Sequence, residues 1–150
     1  MDRLIQILGK TKYSHRFILS RGPDGITLPD NFKGVEFINQ IALLQQVDAI
    51  ITHGGNNTII ECFYYAVPCI VIPLFSDQHD NAQRIRETGL GKVLEYDFGS
   101  ELDDMIHELV NDQNFSHKLA KIANNMRAKS NAQDFVEKLE KLVHEFREKI

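Results

Sequence analysis

The chain predicts a single α/β domain built on a parallel sheet, and three observations carry that expectation. Short apolar runs alternate with segments of helical periodicity up to residue 96, the pattern of strands joined by right-handed crossovers. Runs such as Cys69-Ile70-Val71-Ile72 are apolar at consecutive positions, as strands covered on both faces must be. Beyond residue 99 the pattern is helical throughout.

Each element follows in turn. Leu4, Ile5 and Leu8 give a short helical stripe that stops near Gly9. Phe17–Ser20 reads as the first strand, halted by the turn chemistry of Arg21-Gly22-Pro23-Asp24-Gly25. Val35–Ile38 is the second strand, Ile41, Leu43 and Leu44 mark a short helix, and Ala49–Thr52 is the third strand. Residues 57–66 form a helix, Cys69–Pro73 the fourth strand, and Asn81–Thr88 a helix that Gly89 should stop. Lys92–Tyr96 is the fifth strand.

Three amphipathic helices follow. The first carries Leu102, Met105, Ile106 and Leu109, the second Phe115, Leu119, Ile122, Ala123 and Met126. The third carries Phe135, Leu139, Leu142, Val143 and Phe146, a stripe expected to pack on this domain. The sum is a Rossmann-like α/β domain with flanking helices and a helical C-terminal end, without repeats or linkers.

Composition narrows the function. The 150 residues are long enough to bury a core, and 43% hydrophobic with 25% charged is ordinary for a globular chain. A net charge of −4 without a basic block argues against nucleic acid as a partner. An anionic ligand stays open, because backbone amides bind phosphate without lysine. Cys62 and Cys69 match no C-x-x-C pattern and are expected as buried free thiols. No run is long and apolar enough to span a bilayer, and Met1-Asp2-Arg3 does not open a secretory signal, so the chain is expected in the cytoplasm. The histidines show no structural-zinc spacing, and no metal or other cofactor is expected.

Two polar loops then stand out, because each follows a strand at the edge where open parallel sheets bind ligands. In His53-Gly54-Gly55-Asn56-Asn57-Thr58 the glycines let a ligand approach the backbone, and the next helix offers unpaired amides and a positive dipole end. That is a phosphate site. Asn57, Thr58 and His53 add donors at its rim. The plainer alternative is a capping box, Thr58-Ile59-Ile60-Glu61. In Ser76-Asp77-Gln78-His79-Asp80-Asn81 the Asp77 carboxylate and Gln78 amide suit sugar hydroxyls, while Asp77 or Asp80 could instead cap the following helix. A phosphate cradle beside a hydroxyl reader describes a nucleotide-sugar.

The stretch "FINQIALLQQVDAIITHGGNNTIIECFYYAVPCIVIPLFSDQHDNAQRIRETGLG" resembles the C-terminal, donor-binding half of the family-1 UDP-glycosyltransferases, which have the two-domain GT-B fold. The carrying motifs are T-H-G-G-x-N-[ST]-x-x-E, V-P and P-L-F-x-D-Q at these spacings. The resemblance implies that His53 and the amides around Gly54, Gly55, Asn57 and Thr58 hold the diphosphate of a UDP-sugar. It implies that Glu61 takes the ribose hydroxyls, in competition with its capping role, and that Asp77 and Gln78 bind the transferred sugar. Gln40 would lie near the uracil or ribose, and Phe37 would stack on the uracil. Where the family has an aromatic-x-Pro-Gln segment, this chain has Phe37-Ile38-Asn39-Gln40, so Asn39 loses the stiffness of proline.

The family's acceptor pocket and histidine general base belong to an N-terminal half, so no catalytic residue is expected within residues 1–150. The domain is also expected to lack its first strand, the central one of the doubly wound order. A missing half, a partner chain or self-association would then complete it. Rival readings are a donor-binding subunit that needs a separate acceptor half, a nucleotide-sugar epimerase, against which P-L-F-x-D-Q argues, and a fragment without ligand affinity.

Overall fold

The structure is a computed structural model that describes residues 2–20, 27–95, 99, 101–129 and 132–147. Its elements run α1 (Asp2–Leu8), β1 (Phe17–Ser20), β2 (Phe32–Val35), α2 (Gln40–Leu44), β3 (Ile50–Thr52), α3 (Asn56–Tyr65), β4 (Cys69–Val71), α4 (Asp77–Thr88), β5 (Lys92–Val93), α5 (Glu101–Asn111), α6 (Gln113–Lys129) and α7 (Ala132–Arg147). The α/β class and its parallel pairing are as the sequence predicts. The Arg21–Gly25 turn and Tyr96 lie outside the described residues.

Among the described residues the strands form two parallel groups, β1 with β2 and β3-β4-β5 in that order. The registers are Phe17↔Phe32 through Ser20↔Val35, Ile50↔Cys69 through Thr52↔Val71, and Ile70↔Lys92 with Val71↔Val93. The second strand therefore lies three residues earlier than its expected start. Phe32 packs on Phe17 with ring centroids 4.9 Å apart, and that contact selects the register. Val35 closes the strand, and Phe37 falls in the connection to α2.

Side-chain alternation along β4 builds the core. Ile70 and Ile72 face one layer, where Leu8 of α1 and Leu102, Ile106 and Leu109 of α5 are buried with Leu94. Cys69 and Val71 face the other, with Leu44 of α2, Ile59 and Cys62 of α3, and Ala82 and Ile85 of α4. Both faces are covered, which is why the strand is apolar at every position. Each fully buried aliphatic side chain contributes roughly 1.5–3 kcal/mol.

Polar ties fix the helices around this core. Asp103 of α5 is buried, and its carboxylate accepts from the Thr11 hydroxyl and, at 3.1 Å, from the Lys12 amide. Asp104 takes Lys12 Nζ and the Tyr13 hydroxyl, each at 2.6 Å, and these two partners, Lys12 first, hold its carboxyl below the usual 3.8. Helix α6 packs on α3 and braces two helix ends. Arg127 donates to Tyr64 O at 2.7 Å, and Lys118 donates to Thr88 O at 2.6 Å. Both place a cation against a carbonyl terminus. Gly89 closes α4 in the left-handed region at φ 58°, as expected of a C-terminal stop.

Two further expectations change. Helix α4 begins at Asp77 rather than Asn81, because Ser76 takes the N-cap and the polar run becomes the first turn. In α7, Val136 and Leu139 are 50% and 46% exposed, so Leu139 is not buried against the domain as its periodicity implies. The side chains of Phe135, Leu142, Val143 and Phe146 lie outside the described residues. Among the described residues, no helix is long and apolar enough to cross a membrane.

Cys62 and Cys69 are free and fully buried, as expected. Burial pushes both thiols up from the ordinary 9.0 to about 12, with the Cys69 and Glu61 charges adding to the shift at Cys62. Neither should react with a thiol reagent at pH 8 until the chain unfolds. The native thiols keep protons that the unfolded chain releases above pH 9, so stability is fully present below 9 and falls as pH rises toward 12. Urea midpoints measured from pH 8 to 11 check the sign; a rising midpoint would contradict it.

Candidate functional site

Strands β3 and β4 are parallel neighbours, so the turns that leave them at Thr52 and Val71 open on one sheet edge. The first turn is set by Gly54. It is buried at φ 89°, and a Cβ there would stand 2.6 Å from Val71 Cγ1. Conformation and packing both demand glycine. The Gly54 amide donates to Thr52 Oγ1 at 3.3 Å. Gly55 is the N-cap of α3, in ordinary extended backbone and without a side-chain cap bond. The amides of Asn56, Asn57 and Thr58 are thus left without intrahelical partners at the positive end of the helix. His53 is exposed, and its Nε2 lies 2.9 Å from where a Gly55 Cβ would stand. The imidazole is held beside the turn by the space that glycine leaves.

Thr58 is the third residue of α3, not its cap, so the capping box does not form. Glu61 is free of that role. Its Oε2 accepts from Gln40 Nε2 at 2.5 Å, and the same nitrogen reaches Thr58 Oγ1 at 3.3 Å. Helix α2 therefore delivers Gln40 to one face of α3, where Gln40, Thr58 and Glu61 form a single group. Asn39 holds α2 in place, since its Oδ1 caps the helix through Ala42 N at 3.1 Å. A cap supplies the order that proline would otherwise bring. Phe37 is 87% exposed on the approach to α2.

The second turn carries Asp77, exposed, and Gln78, buried. The Gln78 carbonyl oxygen accepts from Leu74 N at 2.9 Å and Phe75 N at 3.1 Å, so it organises the turn and leaves the amide nitrogen for other partners. Ser76 sits at φ 57°, ψ −138°, a conformation that costs roughly 1–3 kcal/mol with a Cβ present. Neither Asp77 nor Asp80 caps the helix, because Ser76 occupies that position without a side-chain bond. Asn81, one turn into α4, donates from Nδ2 to Gly54 O at 3.0 Å and joins the two turns. The sequence reading missed that contact.

The edge is an open surface, with His53, Asn57 and Asp77 all exposed. A cleft of about 460 Å³ lined by Leu44, Val47, Asp48, Tyr65 and Val67 lies at the amino ends of β3 and β4, away from every predicted site residue. Among the described residues, no group of three or more His, Cys, Asp or Glu side chains converges to hold a metal ion.

Parallel strands with helices on both faces and a glycine turn feeding a helix N-terminus make a Rossmann-like domain, and the comparisons place it among the GT-B glycosyltransferases. The family described as "Erythromycin biosynthesis protein CIII-like, C-terminal domain" matches residues 15–142. The chain belongs to that family, the C-terminal half of family-1 glycosyltransferases. It is 31% identical over 103 residues to the uncharacterized UDP-glucosyltransferase YojK of Bacillus subtilis, covering 67% of this chain and 25% of that protein. It is 32% identical over 106 residues to human 2-hydroxyacylsphingosine 1-beta-galactosyltransferase, covering 68% of this chain and 20% of that one. Among solved structures, spinosyn forosaminyltransferase SpnP superposes with a TM-score of 0.82 at 26% identity, over 95% of this chain and 38% of that one. The chain thus spans a quarter or less of these two curated relatives.

Proposed function

We propose that this chain binds the UDP-sugar donor for inverting transfer of a hexose to the hydroxyl of a small-molecule acceptor. The observation that carries the reading is the convergence, at one sheet edge, of an uncapped helix terminus, the Gln40–Glu61 pair and the Asp77 turn. Each part suits one portion of such a donor. Phe37 offers a ring to the uracil, and Glu61, oriented by Gln40, accepts from the ribose hydroxyls. The amides of Gly55, Asn57 and Thr58, with His53, take the diphosphate. Asp77 accepts from sugar hydroxyls, and Gln78 donates to them through its amide.

In the reaction the acceptor oxygen attacks the anomeric carbon from the face opposite the leaving group. A general base outside this chain takes its proton. The bond from that carbon to the β-phosphate oxygen breaks, and UDP departs with the electron pair. Preorganised amides and the α3 dipole stabilise the charge that grows on the diphosphate. These groups supply the positive field without a metal ion. The open edge suits closure by an acceptor-binding half, in the same polypeptide or a partner chain, and the isolated chain should bind donor while turning over little.

A thermal-shift panel tests the nucleotide class. UDP and UDP-hexoses should raise the unfolding temperature, with ADP and GDP giving little change. Equal shifts from purine and pyrimidine diphosphates, or none from UDP, would count against the proposal.

A further inference from the structure

Resting on the donor-site reading above, we infer that Asn81 is a positioning residue that aims the Gly55 amide at the donor diphosphate. Asn81 stands on α4, 27 residues along the chain from Gly54, yet its Nδ2 donates to Gly54 O at 3.0 Å. The peptide between Gly54 and Gly55 is trans, so its carbonyl and its N–H point in opposite directions. Holding the Gly54 carbonyl toward α4 turns the Gly55 N–H away from α4, where no partner meets it among the described residues. The peptide needs such an anchor. Gly54 has no Cβ to restrict it, and at φ 89° it sits where glycine has wide freedom to rotate. The Thr52 hydroxyl steadies the Gly54 amide and Asn81 its carbonyl, so both sides of this glycine are tied. The same side chain sets the spacing between the phosphate turn and the Asp77 turn, since it leaves α4 one turn after Asp77.

The role separates from mere bracing by which part of the ligand feels it. Titrating wild type, Asn81→Ala and Glu61→Ala with UDP and with uridine gives the separation. Asn81→Ala should weaken UDP about tenfold, the worth of one charge-assisted hydrogen bond, and leave uridine unchanged. Glu61→Ala should weaken both. Asn81→Asp, which lacks the donor and adds a negative charge, should weaken UDP at neutral pH more than alanine does.

Amide NMR of the wild type supplies a reading that needs no variant: the shift that separates UDP from uridine should centre on Gly55. Two results would overturn the inference while leaving the donor site intact. One is UDP binding to Asn81→Ala as tight as to wild type, or weakened equally with uridine; the other is a Gly55 amide indifferent to UDP. A wild-type chain that binds no UDP would instead remove the donor-site reading itself.

Discussion

Gly54→Ala is expected to lower the unfolding free energy by about 3 kcal/mol and to abolish measurable UDP binding. Two costs add at this position. A residue with a Cβ loses roughly 1–2 kcal/mol in the left-handed region, which Gly54 occupies at φ 89°. The new methyl would also stand 2.6 Å from Val71 Cγ1. Val71 is fully buried in β4, so relief means moving a core strand, and such overpacking costs roughly 1–3 kcal/mol. Gly55→Ala is the contrast. Its backbone is already extended at φ −60°, and the added methyl meets only the tip of His53. That variant should unfold within about 1 kcal/mol of wild type, in keeping with a change away from the core, yet bind UDP more weakly because the imidazole is displaced. Urea unfolding and UDP titration of the two variants check both halves. Similar stability losses at the two glycines would show that this account of the turn is wrong.

Glu61→Ala should weaken UDP between about 10- and 100-fold while leaving the fold nearly untouched. Hydrogen bonds to a charged group contribute roughly 1.5–3 kcal/mol, and Glu61 is half-buried on α3. Removing it leaves Gln40 Nε2 with Thr58 Oγ1 at 3.3 Å as its partner. The sharper reading uses 2′-deoxy-UDP. Wild type should prefer UDP over the deoxy form, and Glu61→Ala should show no preference, since the hydroxyl and its acceptor form one interaction. A preference that survives the substitution would move the ribose contact elsewhere.

Much of this was legible because local chemistry and global packing agree. The unbroken apolar run at Cys69–Ile72 marked a strand covered on both faces, and Ile70 and Val71 do serve opposite layers. Gly89 marked the end of α4 because a left-handed cap there needs no Cβ. The failures come from contacts that sequence spacing does not encode. The second strand slid to Phe32–Val35 because Phe32 found Phe17, a pairing invisible from either segment alone. Thr58 and Glu61 fit a capping box by spacing, yet Gly55 took the cap and Gln40, from another helix, took the carboxylate. Asn81 sat in a run read for its helix start, and its bond to Gly54 spans 27 residues. The chemistry-bearing residue types were readable at the candidate site; the ties that orient them were not.

If this sheet edge holds a nucleoside diphosphate, calorimetric titration of the folded chain with UDP will register it. His53→Ala belongs beside it as a site variant, and Asp48→Ala, at the amino ends of the strands, as a control. Saturable one-to-one binding should appear, weakened in His53→Ala and unchanged in Asp48→Ala. A chain that unfolds cooperatively yet takes up no UDP at millimolar concentration, or one that binds it equally well in both variants, would contradict it.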